Sequence, residues 1–487
     1  MPTPTTDTRS TRPARHRPGL VLTALLFCQL MLVLDVTVVN IALPQIHDTL
    51  GFTSEGLAWV LNAYTVTFGG LLLLGGRAGD IVGRRRVFVT GVALFGVASL
   101  VGGLAPAPGW LLGARAVQGL GAALASPSAL ALISTNFAEG PERTRALGLW
   151  GAVSGSAATL GLIVGGVLTH VASWRWVLFI NVPITVAVLV LTPLFVREAE
   201  RSPGRFDLPG ALTSTTGMGA LAFGLINAAS AGWGDRVTSI AIGVAVVSLA
   251  LFALAESRAP QPITPLHLLR DPLRLRSYAA MLVVGASMGG MFYFLTQFLQ
   301  EVLGFGPLQA GLAFLPVSLV LVVSAQRTAA LLPKTGPAIP TAIGALAVTA
   351  GLLWLGRLDE TSGYFPGVAV PLVLFGIGAG LIYVPSTVGA TARVAATESG
   401  AASGMLNTTS QLGTALGLAA LVTVAGTAAR HAAAHPVAGL SAQAQAQHAA
   451  AYGFTRAFLA AAMLGVVLLV ISLIGGFRPV RPTDRAY

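Results

Sequence analysis

The chain has 487 residues, of which 54% are hydrophobic and only 10% charged, and its mean hydropathy is +0.77. A soluble domain carries about 25% charged residues, so a soluble enzyme or binding domain is excluded. The net charge of +11 is arginine charge, since Lys334 is the sole lysine. These arginines punctuate apolar segments and build no basic domain, which argues against a nucleic-acid partner and for the loops of a polytopic membrane protein.

Residues 1–18, rich in Pro, Thr and Arg, read as a cytoplasmic tail. The stretch 19–44, GLVLTALLFCQLMLVLDVTVVNIALP, is long and apolar enough to span a bilayer, yet it contains Asp35. A carboxylate there costs roughly 2.5–3.5 kcal/mol on insertion scales, and the default reading is a functional group facing a cavity or partner. The single Cys28 lies in the same span, so no intramolecular disulfide can form.

Apolar runs then recur near 55–75, 87–105, 110–133, 146–168, 176–196, 209–229, 237–256, 278–299, 307–327, 337–355, 366–389, 400–424 and 453–475, giving fourteen expected spans. With the N-terminus inside, inner segments hold 23 of the 29 basic residues and outer loops 4, which supports two cytoplasmic termini. The expected organisation is a six-helix bundle over 19–196, two inserted helices over 209–256, and a cytoplasmic linker over 257–277. A second six-helix bundle follows over 278–475, then a tail over 476–487. The linker's prolines stop a continuous helix, and residues 264–276 read as an amphipathic surface segment.

Four constellations stand out. The inner segment 76–86 carries Gly76, Asp80, Gly83, Arg84 and Arg85, a glycine-framed basic turn in which Asp80 can cap the next helix or pair with an arginine. In span four, Arg115, Gln118, Gly119 and Ala122 share one helical face, and an arginine there must meet an acceptor or water. Span five carries Gly161, Gly165 and Gly166 among small residues suited to close helix packing. In the second half, Tyr293, Gln297 and Glu301 lie on one face, and Asn407, Gln411 and Thr414 on another. Met281, Met288 and Met291 with Phe292 suit an adaptable apolar pocket. Residues 430–451 read as an Ala-, Gln- and His-rich outer loop. Its His431 and His435 have metal-ligand spacing but no carboxylate or cysteine beside them, so no metal site is expected.

The turn at 76–86 resembles the signature loop of the major facilitator superfamily, with Ala78 and Ile81 departing from its pattern. Arg115, Gln118 and Gly119 resemble its proton-transfer motif. Span five resembles its antiporter motif, with Ala157 and Leu162 in place of a glycine and the proline. Together with LDVTVVNIALP, WVLNAY, WRWVLFINVP, QFLQEVLGFGPLQAGLAFLP and SGMLNTTSQLGTALG, these resemble the 14-span drug:proton antiporter branch over nearly the whole chain. The resemblance implies an all-α polytopic fold in the cell membrane and a monomeric exporter of lipophilic small molecules. The proton gradient would be its energy source, with no cofactor and no catalytic residue. It also implies proton coupling by Asp35 and Arg115, and a substrate cavity holding Asn40, Asn62, Tyr64, Gln118, Tyr293, Gln297, Asn407 and Gln411. Gly76, Asp80, Gly83, Arg84 and Arg85 would form an inner gate. An importer of a small metabolite would share the fold; a membrane enzyme finds no nucleophile–base pair or metal cluster in the sequence.

Overall fold

A computed structural model describes residues 17–53, 56–137, 141–198, 207–258, 266–392, 394 and 399–474, and every regular element among them is helical. In chain order the long helices are α1 (Pro18–Leu50), α2 (Trp59–Val82), α3 (Arg84–Gly103), α4 (Pro108–Asn136), α5 (Pro141–Val171) and α6 (Trp176–Phe195). Then come α7 (Leu208–Ala231), α8 (Arg236–Arg258), α9 (Pro272–Gln297) and α10 (Pro307–Thr335). The last four are α11 (Ala338–Leu355), α12 (Ala369–Thr391), α13 (Ser399–Ala434) and α14 (Ala442–Ile474).

Among the described residues, twelve of these helices hold a stretch long and apolar enough to cross a membrane. The other two are α5, whose described apolar stretch is Leu160–Val171, and α7. α7 carries a hydroxyl run at Thr213, Ser214, Thr215 and Thr216. Exposed side chains complete the picture. On α8, Ile240, Val244, Val247, Leu251 and Leu254 form an exposed apolar stripe at helical spacing, the surface a lipid-facing helix presents.

Polar residues at the termini explain where the helices begin and end. Pro18 and Pro108 open α1 and α4, where a missing N–H costs nothing. Asp207 accepts from Gly210 N at 2.9 Å, and Asp271 from Leu273 N at 2.8 Å, capping α7 and α9. Gly51, at φ +69°, closes α1 through its N–H to His47 O at 2.9 Å. Two expectations change here. The described part of the segment 264–276 is the short turn Leu266–Arg270 and the start of α9, which Asp271 and Pro272 open. The presumed loop 430–451 is mostly helix, because Ala and Gln are strong helix formers even where hydropathy is low.

The chain enters at what is here termed the near face, and α1 ends at the far face. α1–α6 pack mainly among themselves, as do α9–α14, while α7 touches both α2 and α13. The α7 contacts are close: Thr215 lies against Gly70, the Phe223 ring is 6.2 Å from that of Trp59, and Thr423 of α13 donates to Leu225 O. Toward the far face the two groups of helices are joined directly. Asn40 Nδ2 donates to Phe292 O and Thr296 Oγ1, both at 3.0 Å, and Gln300 Nε2 donates to Ile41 O at 3.0 Å.

Candidate functional site

Asp35 lies midway along α1 with no solvent exposure, and so do Arg115 and Gln118 of α4, Ser99 of α3 and Asn181 of α6. Arg115 Nη1 donates to Asp35 Oδ2 at 2.5 Å and to Gln118 Oε1 at 3.0 Å, and its Nε donates to Val60 O at 2.9 Å. The other carboxylate oxygen, Oδ1, receives Gln118 Nε2 at 3.1 Å and Asn181 Nδ2 at 2.8 Å. Ser99 Oγ sits behind both amides, accepting from Gln118 at 2.7 Å while donating to Phe95 O at 2.8 Å. The Tyr64 ring lies under the guanidinium, 4.7 Å from Cζ to centroid.

Backbone geometry brings these groups together. A Cβ on Gly119 would come within 2.5 Å of Tyr64 O, so the glycine lets α4 approach α2 closely enough for Arg115 to reach Val60 O. A Cβ on Gly96 would meet Thr185 at 2.3 Å, which draws α3 onto α6 one turn away from Ser99 and Asn181. Helix α6 breaks at Ile180, between Trp176–Phe179 and Asn181–Phe195. Pro183 accounts for the break, since its ring opposes the carbonyl of Phe179, four residues back. Asn181 is therefore the first residue beyond a kink.

A buried ion pair is poor evidence of stabilisation, because desolvating both charges offsets their attraction. Its burial here among neutral amides, with each carboxylate oxygen occupied, makes it the candidate functional group of the molecule. The sequence had indicated Asp35, Arg115 and Gln118. It had not singled out Ser99, a small hydroxyl in an ordinary apolar run, or Asn181, whose place after the interfacial tryptophans was its only signal.

The remaining predicted residues separate into groups. Tyr64 and Gln118, expected in a substrate cavity, belong to the sealed carboxylate cluster. Asn62 is fully buried with neither amide atom paired, and Asn40 spans the join between the halves. Tyr293 and Gln297 are buried on α9, with Gln297 Nε2 3.5 Å from Tyr293 O. On α13, Asn407 is exposed and Gln411 packs against Gly69 of α2. Glu301 is exposed, on a π turn, Phe298–Val302, that extends α9.

At the near face the expected loop is a one-residue break. α2 runs to Val82, Gly83 adopts φ +118°, and α3 starts at Arg84. Asp80 on the last turn of α2 pairs with Arg84, four residues on, and caps nothing. The cap is supplied by Glu198, which accepts from Arg85 N at 2.8 Å, while Arg85 Nη1 donates to Val196 O at 3.1 Å. Gly76 lies in ordinary contact with Pro127. On α5, a Cβ at Gly161 would meet Thr37 Oγ1 at 1.9 Å, at Gly165 the Val38 backbone at 2.9 Å, and at Gly166 Pro307 O at 2.8 Å. Gly161 and Gly165 thus seat α5 against α1, and Gly166 seats it against the start of α10. The His431 and His435 rings lie 4.4 Å apart and tilted by 41°, and His448 pairs with Glu360 at the far face.

Comparison with known proteins matches residues 25–418 to the Major Facilitator Superfamily. The chain is 42% identical over 399 residues to a puromycin resistance protein of Streptomyces alboniger, covering 81% of this chain and 79% of that one. It is 41% identical over 388 residues to a cephamycin export protein of Amycolatopsis lactamdurans, covering 79% and 80%. A lincomycin resistance protein of Streptomyces lincolnensis is 36% identical over 411 residues, covering 82% and 83%. Among solved structures, a bacterial homolog of the human lysosomal transporter Spinster, in an inward-facing and occupied conformation, superposes with a TM-score of 0.65. It is 16% identical and covers 98% of this chain and 100% of that one; at that identity the likeness concerns the fold alone.

Proposed function

The chain belongs to the major facilitator superfamily, a membrane transporter and not an enzyme, and we propose that it exports lipophilic, antibiotic-like small molecules in exchange for protons. The observation that carries this reading is the Asp35–Arg115 pair, sealed at mid-membrane with its amide partners. The relatives named for puromycin and lincomycin resistance and for cephamycin export support the direction. The near face is the cytoplasm, both termini lie there, and α5 and α7 complete fourteen spans in two six-helix bundles with α7 and α8 inserted. The 23-to-4 distribution of basic residues supports this orientation.

In this mechanism the halves alternate access around the bundle axis. Open to the outside, Asp35 takes a proton as substrate leaves; its charge is lost and Arg115 is released from the pair. Open to the cytoplasm, the proton departs, Arg115 recaptures the carboxylate, and the vacated cavity between α1, α9 and α13 accepts the next substrate. Tyr293, Gln297, Asn407 and Gln411 line the second half's share of that cavity. The Asp80–Arg84 pair and Glu198 hold the α2–α3 turn and form the inner gate, while Gly161, Gly165 and Gly166 let α5 slide on α1. A proton gradient and a lipid bilayer are all the monomer requires.

Everted membrane vesicles containing the protein test this with ethidium and puromycin as probes. Uptake that depends on the proton gradient, stops with an uncoupler and is lost in Asp35→Asn is expected. Transport unaffected by the uncoupler, or running in the opposite direction, would show an importer or a passive carrier.

A further inference from the structure

The two amides that donate to Asp35 Oδ1 are not equivalent. Gln118 is held at both ends, its Oε1 accepting from Arg115 Nη1 and its Nε2 donating to Asp35 and Ser99. Asn181 is held at one end only. Its Nδ2 faces Asp35 at 2.8 Å and Ser99 Oγ at 3.4 Å, whereas its Oδ1 is buried and has no hydrogen-bond partner. A buried carbonyl left unpaired carries a free-energy cost in this arrangement. The planar amide presents a donor and an acceptor that a half-turn about Cβ–Cγ exchanges. Ionised Asp35 needs donors on both oxygens, but a protonated Asp35 needs an acceptor for its new O–H.

We infer that Asn181 is a positioning residue that follows the protonation state of Asp35, its Nδ2 donating to the carboxylate and its Oδ1 accepting the O–H once the carboxyl is protonated. Only hydrogen bonds change: the proton enters from whichever face is open and leaves by the other. Gln118 cannot play this part without giving up Arg115. The titratable and charged groups around the pair are Arg115 from α4, Tyr64 from α2 and Cys28 from α1 itself; α3 and α6 contribute the neutral Ser99 and Asn181. Because Asn181 begins the segment beyond the kink at Ile180, a turn of its amide acts where α6 is least constrained by its own hydrogen bonds. This inference rests on the proton-carrying role proposed for Asp35.

The test is infrared difference spectroscopy of the purified full-length protein across pH, comparing wild type, Asn181→Leu and Asn181→Ser, with Asp35→Asn as reference. The wild type is expected to show a protonated-carboxyl band that Asp35→Asn removes. In Asn181→Leu that band moves to higher frequency, yet proton affinity changes by less than about threefold, because both protonation states lose a partner. In Asn181→Ser, whose hydroxyl donates and accepts, the band returns toward its original position. A fixed donor would serve the anion alone, and Asn181→Leu would then bind the proton on the order of 10- to 100-fold more tightly. That result, an unmoved band, or a serine variant that restores nothing would overturn the switch and leave the proton-carrying role standing. A spectrum in which Asp35→Asn removes no band would overturn both.

Discussion

Around Asp35 of α1 in the first half, α4 and α6 bring polar side chains to one carboxylate, and Ser99 of α3 stands behind them. Around Tyr293 and Gln297 in the second half, the neighbours are aromatic rings: Phe294 lies 5.0 Å from Tyr293, 5.9 Å from Phe454 and 6.4 Å from Phe458. Among the described residues of that half, the fully buried polar side chains are all uncharged. One side of the molecule is built to hold a charge in one place. The other buries Met281 and Met291 among apolar and aromatic side chains.

The sharpest way to break this contrast is Arg115→Ala, which leaves a buried carboxylate unpaired. A loss of about 3–5 kcal/mol is expected, read as a fall in melting temperature in detergent together with loss of ethidium efflux. Adding Asp35→Asn to that variant should recover most of the stability and none of the pumping. Gly165→Val comes next, since even a Cβ would stand 2.9 Å from the Val38 backbone. Forcing α5 off α1 is expected to cost about 1–3 kcal/mol and to slow efflux while leaving the Asp35 cluster's infrared signature in place. Gln297→Ala should cost only about 0.6 kcal/mol. It should change the relative KM values for ethidium and puromycin without touching coupling to the proton gradient; loss of coupling would erase the division between the halves.

The smallest effect is expected away from both, at the α7–α8 turn. There Asp235 accepts from Thr238 N at 3.0 Å, and this backbone N–H chiefly holds its carboxyl below the usual carboxylate range. A group whose folded pKa is depressed stabilises above its unfolded value and loses that contribution as pH falls through the folded one. Asp235→Asn should therefore lower the melting temperature slightly at neutral pH, with the difference from wild type shrinking as pH falls below about 4.

The sequence made the carboxylate legible because a charge inside an apolar run has few explanations, and because Arg115 and Gln118 fall on one helical face. It left Asn181 unmarked, since an asparagine at the start of a span reads as a helix cap. Glu198 was hidden for a similar reason: an acid in a basic near-face segment looks like charge balance until Arg85 N is seen donating to it. Hydropathy misled at 430–451, where alanine and glutamine lengthen α13 and α14 without any apolar signal. The polar run in α7 shows the opposite case. Its hydroxyls turn back onto their own helix, Thr213 to Pro209 O at 2.6 Å and Thr215 to Ala211 O at 2.8 Å, so the helix is less polar than its composition.

The position of α7 has a mechanical consequence. A rod that presses on α2 through Thr215 and is tied to α13 through Thr423 leans on both bodies along a single seam. The glycine contacts of α5 with the start of α10 lie elsewhere in the bundle. If the halves rock as proposed, the edge that α7 clasps would act as their shared support.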